Sequence, residues 1–391
     1  MASADRCRAG LSGLNVRIAL NLLYLIPGVV GGTETYARSL IHGIASLDGE
    51  NEYVVFLNKL AADIDITPGP NFRRVVCPFI PLRRIVRYGW EQGILPFQLG
   101  REKIDLVHSL GYVAPLAARS RQIVSVHDLN FLSHDGWGSP QTRRILRFFV
   151  ERSVRRAEHV ITMSEFSRSG LVNTLGVPPG KVSVTHEAAA RHLSNADQAG
   201  ASDYDPASGK PYILAFSALP RHKNIARLIL AFEQVQHLVP HSLVVVGNLP
   251  GNAEYRRGLE KKAGDRIHFT GYLSNAEIAV ALRKASLFVF PSLYEGFGIP
   301  VLEAQQAGVP VTCSDVAAIP EVAGSGAHYF DPFSVDSIAS AVRTCLLDPD
   351  LRATLVREGY ENASRFSWEK AARETLAIYD AIGRRKTETA A

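Results

Sequence analysis

Short runs of apolar residues alternate with helical patterns along most of the chain. In the first half the runs are five or six residues long and rich in β-branched residues, which is typical of buried strands in a parallel sheet. The predicted strands are VRIAL at 16–20, EYVVFL at 52–57, RRVVC at 73–77, IDLVHS at 104–109 and QIVSVH at 122–127. Apolar residues at helical spacing predict helices over Thr35–Leu47 and Thr142–Ala157.

The pattern lapses in the middle of the chain and then starts again. Residues 192–211 are polar, rich in Ser, Ala, Asp and Gly, and have no hydrophobic period, which indicates a linker. The predicted strands beyond it are YILAFS, SLVVVGN, RIHFTGY, SLFVFPS and VPVTCSD, and the predicted helices cover Asn224–Leu238, the region near Ala253–Lys262, Ala276–Ala285 and VLEAQQAG at 301–308.

Strands that alternate with helices in both halves predict an α/β protein made of two doubly wound, Rossmann-like domains. We place the amino-terminal domain at 1–205 and the carboxyl-terminal domain at 206–365. The amphipathic segment 366–391 is predicted to be a helix that crosses back onto the first domain. The two domains should face each other across a cleft at the carboxyl ends of their strands, where ligands bind in such sheets.

Composition agrees with two folded domains and excludes several classes of protein. The chain has 391 residues, of which 46% are hydrophobic and 21% charged, far from the disordered range. Its four cysteines form no C-x-x-C pair and predict neither a zinc site nor a disulfide framework, as in a protein of the reducing cytoplasm. No signal peptide or membrane span is expected, because polar residues, Pro27 and Gly28 interrupt the most apolar stretch.

The net charge of +5 is unevenly distributed. Residues 71–156 carry a local net charge of +9, so the remainder of the chain is net −4. In FIPLRRIVRYGW, arginines alternate with apolar and aromatic residues, and two interpretations are open. Either Arg83, Arg84, Arg87 and Trp90 contact an anionic lipid surface, or Trp90 and Tyr88 are core residues and the arginines are solvated.

Two glycine-containing segments carry candidate chemistry. In PGVVGGTETYARSL, Gly31 and Gly32 precede a predicted helix whose free amides would favour a phosphate, although a simple capped turn at Thr33 explains the pattern equally well. A nicotinamide enzyme is disfavoured because the chain lacks G-x-G-x-x-G in its dinucleotide context.

The second segment is SLYEGFGIPVLEAQQAGVPV. Its glycines and Pro300 predict a loop that carries Glu295, followed by a helix that carries Glu303. Both carboxylates should face the cleft. The amides of Phe297, Gly298 and Ile299 would form a second site for an anion or a hydroxyl group at the helix start.

This second segment resembles the signature of the retaining GT-B glycosyltransferases of family four, in which two glutamates are separated by seven residues. Further segments resemble that family in the same order along almost the whole chain. They are GGTETYARSL, SVHDLNFLSHDGW, ITMSEFSRSGLVNTLGVPPGKVSV and LPRHKNIARLILAF. The resemblance implies a hexosyltransferase that uses a nucleotide sugar and needs neither a metal nor another cofactor.

The resemblance also implies roles for residues on the donor side. Gly31 and Gly32 would lie under the donor pyrophosphate, and Lys223 would neutralise that pyrophosphate as it leaves. The family's upstream Arg is missing here, where the chain reads Ser217, Ala218, Leu219, so Arg221 is our substitute. Glu303 would bind the ribose hydroxyls.

The remaining implied roles concern the sugar, the base and the acceptor. Glu295 and the amides of Phe297, Gly298 and Ile299 would surround the transferred sugar, and the backbone of Tyr272 and Leu273 would line the base pocket. His127 and Asp128 end a predicted strand at the cleft. His127 would hydrogen-bond the donor or position the acceptor, unless it is a core histidine.

The run VHDLNFL is reminiscent of family members that act with GDP-mannose, so mannosyl transfer is our first expectation. UDP-glucose and dTDP-rhamnose are the alternative donors, and the acceptor would be a lipid-linked or surface-polysaccharide hydroxyl. The enzyme would be cytoplasmic, or peripheral at the inner face of the plasma membrane. A sugar-nucleotide epimerase and a non-catalytic partner in a glycan pathway are rival readings. Nucleic acid is not expected, and the sequence assigns neither the linkage nor the oligomeric state.

Overall fold

The computed structural model describes residues 16–29, 31–133, 139–190, 204–216, 221–247, 258 and 264–388. The strands of the amino-terminal domain are β1 (Arg17–Asn21), β2 (Glu52–Asn58), β3 (Phe72–Cys77), β4 (Leu106–Ser109), β5 (Arg121–Ser125), β6 (His159–Thr162) and β7 (Val182–Val184). Its helices are α1 (Gly32–Leu47), α2 (Arg84–Gly93), α3 (Leu95–Arg101), α4 (Asn130–Ser133), α5 (Pro140–Arg156) and α6 (Glu165–Leu175). The strands form one parallel sheet in the order β3-β2-β1-β4-β5-β6-β7.

The carboxyl-terminal domain repeats this architecture. Its strands are β8 (Tyr212–Phe216), β9 (Ser242–Val246), β10 (Ile267–Gly271), β11 (Leu287–Phe290), β12 (Val311–Ser314) and β13 (His328–Phe330). Its helices are α7 (Ile225–Val235), α8 (Asn275–Lys284), α9 (Ile299–Gln306), α10 (Ile319–Ala323), α11 (Val335–Leu347) and α12 (Pro349–Ala363), and α13 (Trp368–Glu388) follows them. The strands form a parallel sheet in the order β10-β9-β8-β11-β12-β13.

Both sheets reverse their strand order next to the first strand of the domain, which is the topology of doubly wound nucleotide-binding folds. The prediction of two Rossmann-like domains is therefore confirmed. Local signals place the helix boundaries: Ser139 caps α5 by accepting the amide of Thr142 at 3.2 Å, and Ser274 and Glu277 form a capping box at α8. The helix predicted near 253–262 falls outside the described residues apart from position 258.

Two predictions differ from the structure in detail. The strand predicted to reach 127 ends at Ser125, so His127 lies in the loop beyond the sheet edge. No element was predicted between VPVTCSD and the last helix, where the structure has α10, β13, α11 and α12. Asp348 separates α11 from α12 without a loop, because it ends one helix and its side chain accepts the amide of Leu351 at 2.9 Å to cap the next.

The last helix joins the two halves of the molecule. Helix α13 packs along α1, and its apolar residues belong to the same buried cluster as β1 and β2. Trp368 Nε1 donates to the carbonyl of Ala189 at 2.9 Å, and the Tyr379 hydroxyl lies 2.6 Å from His108 Nδ1. The carboxyl terminus is thus built into the amino-terminal domain, which fixes one side of the cleft against the other.

Candidate active site in the interdomain cleft

Two helix starts meet in the cleft, one from each domain. Gly31 precedes α1 with φ 57° and ψ −124°, a backbone conformation that is essentially restricted to glycine. A Cβ atom at Gly32 would lie 4.0 Å from Cδ1 of Ile299, the first residue of α9. The glycine loop and the segment Phe297–Ile299, which are far apart in sequence, are therefore neighbours. Backbone amides in the first turn of each helix have no intrahelical acceptor, and the helix dipoles make both starts favourable for an anion.

The structure brings Lys223 and Glu295 into direct contact. Lys223 Nζ lies 2.6 Å from Glu295 Oε1, and each side chain is 15% exposed. The ammonium group also lies 5.3 Å from the centre of the Phe290 ring. Lys223 ends a short 3₁₀ turn that begins at Arg221, whose side chain lies outside the described part of the chain. This positive charge is therefore held at the cleft by a carboxylate that an incoming anion could replace.

Glu303 is a buried carboxyl group on α9. It is 8% exposed and accepts the backbone amide of Ala190, which follows the last strand of the other domain. Burial raises the pKa of Glu303 to about 7. Close to neutral pH the group therefore exchanges between a neutral form that donates a hydrogen bond and an anion that only accepts.

His127 lies beneath the cleft with both ring nitrogens facing protein groups. Nε2 is 2.9 Å from the carbonyl oxygen of Leu110, and Nδ1 is 3.5 Å from Glu187 Oε1. Because a carbonyl oxygen only accepts, Nε2 carries the hydrogen, and a further proton between Nδ1 and Glu187 is needed for an attractive contact. A donor that hydrogen-bonds this ring directly would have to replace one of these two contacts.

Glu187 is a residue that the sequence analysis missed. It is 5% exposed, and burial raises the pKa of its carboxyl group. The only signal in the sequence is a charged pair, His186 and Glu187, directly before three alanines. Asp128 accepts the amide of Asn130 at 2.9 Å, and burial raises the pKa of its carboxyl group as well.

The remaining donor-side predictions fall into two groups. The Phe297 side chain is 3% exposed and packs against Phe366 with ring centres 5.8 Å apart, so only its backbone can face a ligand. Leu273 is likewise buried at 6%, whereas Tyr272 is 71% exposed at the turn after β10. The structure therefore leaves the Tyr272 ring available to a ligand and assigns the Leu273 side chain to the core.

The basic segment divides into two parts, one that contacts the rest of the domain and one that is exposed. Arg87 forms an ion pair with the buried Glu91 at 3.5 Å and lies over the Tyr88 ring. Trp90 stacks on Phe79 at 5.0 Å and donates its indole hydrogen to Gln98. Arg87 and Trp90 are consequently structural, because their helix turns that face towards the domain.

Arg83 and Arg84 remain on the exposed side of the same segment.

Among the described residues there is no group of three or more His, Cys, Asp or Glu that could hold a metal ion. The described helices also include none that is long and apolar enough to cross a bilayer.

A cleft between two doubly wound domains, with helix starts for an anion on both walls, is the arrangement of the GT-B glycosyltransferases. Family models agree with it over most of the chain: one for glycosyl transferases group 1 matches residues 201–362, and one for glycosyltransferase family 4 matches residues 30–188. The chain belongs to this family of glycosyltransferases.

Named relatives give the comparison more detail. The O-antigen chain mannosyltransferase B of Escherichia coli is 27% identical over 278 residues, which cover 66% of this chain and 70% of that protein. The O-antigen chain mannosyltransferase RfbU of Salmonella typhimurium is 29% identical over 236 residues, or 59% of this chain and 62% of that protein. The matched regions thus span about three fifths to seven tenths of these relatives.

The fold also matches a solved structure over its whole length. Sucrose-phosphate synthase from Thermosynechococcus elongatus superposes with a TM-score of 0.72 at 21% identity, covering 96% of this chain and 100% of that one. At this identity the likeness concerns the fold.

Proposed function

We propose that this glycosyltransferase moves a mannosyl residue from GDP-mannose to a hydroxyl group of a surface-polysaccharide acceptor, with retention of the anomeric configuration. The observation that carries the proposal is the Lys223–Glu295 pair, whose glutamate lies four residues before the start of α9, together with the close approach of that helix start to the start of α1. Such a site stabilises a nucleoside diphosphate leaving group without a metal. The choice of mannose and of a polysaccharide acceptor rests on the two mannosyltransferase relatives.

The charges in the cleft support the following course for the proposed reaction. The bond between the sugar C1 and the donor phosphate oxygen breaks, and a bond from C1 to the acceptor oxygen forms on the same face of the sugar. The acceptor proton passes to the departing phosphate. Lys223 and the amides at the starts of α1 and α9 stabilise the charge that develops on the diphosphate. Glu295, released from Lys223, is then free to accept hydrogen bonds from sugar hydroxyls, and Glu303 takes the ribose diol.

A donor panel tests this proposal. The purified protein is incubated with GDP-mannose, UDP-glucose or dTDP-rhamnose, with and without an acceptor extract, and in the presence of EDTA. We expect acceptor-dependent release of GDP that EDTA does not reduce, and a product whose anomeric configuration matches the donor. Turnover of UDP-glucose or dTDP-rhamnose alone would replace the donor assignment. A changed sugar nucleotide without acceptor would indicate an epimerase, and no turnover with any donor would contradict the enzyme assignment.

We further propose that the enzyme meets its acceptor at an anionic lipid surface. On the protein, the proposed lipid-binding surface consists of Leu82, Ile85 and Phe148 together with Arg83 and Arg84. The three apolar side chains are 76%, 64% and 48% exposed, respectively. The rings of Tyr88 in α2 and Phe149 in α5 are 4.8 Å apart, so the two helices lie side by side. Exposed apolar residues beside arginines favour the interface of an anionic membrane.

Vesicle sedimentation tests the lipid surface. Two arginines near a membrane contribute about 2 kcal/mol, so Arg83→Glu with Arg84→Glu should lower partitioning into phosphatidylglycerol vesicles by at least roughly 30-fold. Arg357→Glu on the exposed side of α12 serves as the matched control and should change partitioning little. Equal partitioning of the wild type into phosphatidylglycerol and phosphatidylcholine vesicles would refute the electrostatic contribution, as would an unchanged double variant.

A further inference from the structure

The start of helix α6 in the amino-terminal domain lies against the loop that carries Glu295. Ser164 is the N-cap of α6 and accepts the amide of Ser167 at 3.1 Å. The same hydroxyl donates to the carbonyl oxygen of Gly296 at 2.7 Å. The single hydrogen of the Ser167 hydroxyl faces two acceptors, the carbonyl oxygen of His127 at 3.2 Å and that of Gly296 at 3.3 Å. The carbonyl group next to Glu295 therefore receives one hydroxyl group of the opposite domain and lies within reach of a second.

A carboxylate of the carboxyl-terminal domain covers the first amides of the same helix. Glu321, on α10, accepts the amide of Glu165 at 2.9 Å through Oε1 and the amide of Phe166 at 3.2 Å through Oε2. His186 Nε2 lies 3.0 Å from Oε1. Burial raises the pKa of Glu321, but the hydrogen bonds from His186 and the two amides outweigh burial and leave the pKa below its ordinary value. The side chain is thus a charged cap on a helix of the other domain.

The Glu295 loop also touches the other domain through its backbone. A Cβ atom at Gly296 would lie 2.3 Å from the carbonyl oxygen of His127, so only glycine allows this approach. On the other side of Glu295, the Tyr294 hydroxyl accepts the amide of Leu129 at 3.2 Å. Glu295 is therefore the middle residue of a tripeptide whose two ends are both fixed by the amino-terminal domain.

We propose that Ser164, Ser167 and Glu321 are positioning residues for sugar transfer, which hold the Glu295 loop in register with the amino-terminal domain. The inference rests on the proposed function and adds the residues that keep its carboxylate in place. None of the three has a hydrogen bond to the Lys223–Glu295 pair. Ser164 and Ser167 act on the loop through its Gly296 carbonyl group, whereas Glu321 acts through the start of α6, whose N-cap is Ser164. A misplacement of about 1 Å at reacting groups lowers a rate by roughly 100-fold. Loss of these positioning contacts should therefore be measurable as a lower kcat.

Three substitutions separate positioning from folding. Ser164→Asp keeps a good N-cap acceptor but has no hydrogen to donate to Gly296. Ser167→Ala removes the second hydroxyl together with its contact with the carbonyl oxygen of His127. Glu321→Gln keeps the shape, but its single oxygen cannot accept from all three donors. We expect kcat to fall roughly 10- to 100-fold for Ser164→Asp and Glu321→Gln, and less for Ser167→Ala.

Ser367→Asp is the matched control. Ser367 also accepts an amide at a helix start, that of Lys370 at 3.1 Å, and is exposed to solvent. It should keep wild-type kcat and thermal stability. Binding of GDP, and of UDP in parallel, is measured by calorimetry in every variant. Neither diphosphate carries the transferred hexose, so displacement of Glu295 should change its affinity far less than it changes kcat.

Hydrogen exchange of the segment Ser292–Ile299 gives a readout that does not depend on turnover, and it should become faster in Ser164→Asp and Glu321→Gln. Unchanged exchange and unchanged kcat in both variants would overturn the positioning role. So would a parallel loss of diphosphate binding and thermal stability, which would indicate a general folding defect. A wild type that turns over no nucleotide sugar would refute the proposed function instead, while the exchange result would still report on the loop.

Discussion

Two ion pairs of this protein, one at the cleft and one in the amino-terminal domain, have different consequences. Lys223 and Glu295 are both 15% exposed and 2.6 Å apart, while Arg87 and Glu91 are 14% and 1% exposed and 3.5 Å apart. The first pair joins two separate loops at the open cleft. The second lies within one turn of α2 and faces the domain interior.

The difference lies in what surrounds each pair. Lys223 and Glu295 lie near two helix starts that favour an anion, so a phosphate can take the place of the carboxylate. Arg87 Nε and Glu91 Oε2 are buried and make no hydrogen bond with the described residues. A pair in that environment is costly to separate and has no ligand to replace a lost partner. The charges alone do not distinguish the two cases, whereas the surroundings do.

Breaking the structural pair should have the largest effect. Arg87→Met leaves Glu91 buried without its cation, and we expect a loss of about 3–5 kcal/mol in the free energy of unfolding. Burial already raises the pKa of Glu91 to about 7, and loss of Arg87 raises it further. The loss should therefore be greater at pH 8 than at pH 5.5, where Glu91 is neutral. Urea unfolding at the two pH values measures it.

The double variant Arg87→Met with Glu91→Gln should recover most of that loss, because no uncompensated charge remains. Arg83→Met, on the exposed side of the same segment, is the control and should unfold like the wild type. A single variant Arg87→Met that is as stable as the wild type at pH 8 would show that the pair makes no net contribution.

Breaking the cleft pair should affect turnover and leave stability nearly unchanged. Lys223→Met removes the cation that stabilises the leaving diphosphate, so kcat for donor turnover should fall roughly 100- to 1,000-fold. Lys370→Met, a lysine on the exposed face of α13, is the matched control. Steady-state kinetics with the preferred donor, together with a thermal melt, make the measurement. A Lys223→Met enzyme within threefold of wild-type kcat would remove Lys223 from the mechanism.

Sequence patterns were sufficient for the parts of the molecule that are specified locally. The loop with Glu295 and the helix with Glu303 were predictable because Gly296, Gly298 and Pro300 leave few backbone alternatives. The boundaries of α5 and α8 follow from their capping residues in the same way. The two-domain fold follows because strands and helices alternate in both halves.

Groups that act between domains were not predictable from such patterns. Ser164 and Gly296 are 132 residues apart, and nothing local to Ser164 indicates that its hydroxyl has a second partner. Glu187 was missed because its partner His127, although in the same domain, is far from it in sequence. In α2, the sequence left open whether Trp90 is a core residue and whether Arg87 is solvated, because their partners Glu91, Phe79 and Gln98 are set by packing.

A third buried carboxyl group sharpens the comparison, because Glu303 is paired with no cation among the described residues. Burial raises its pKa from an ordinary value near 4.5 to about 7, so the folded protein holds this proton more tightly than the unfolded chain. The resulting stabilisation is fully present below pH 4.5 and is lost as the pH rises through 7. The shift corresponds to about 3 kcal/mol.

Glu303→Gln isolates this contribution, because an amide of the same shape does not titrate in this range. The free energy of unfolding of the wild type minus that of Glu303→Gln should fall by up to about 3 kcal/mol between pH 4.5 and pH 8. Other buried carboxyl groups, such as Glu91 and Glu187, are present in both proteins and largely cancel in the difference. A difference that stays constant across this range would mean that Glu303 titrates normally and is solvated in the free enzyme. The same variant should bind GDP more weakly than the wild type at pH 8, because an amide oxygen is a weaker acceptor for the ribose diol than a carboxylate.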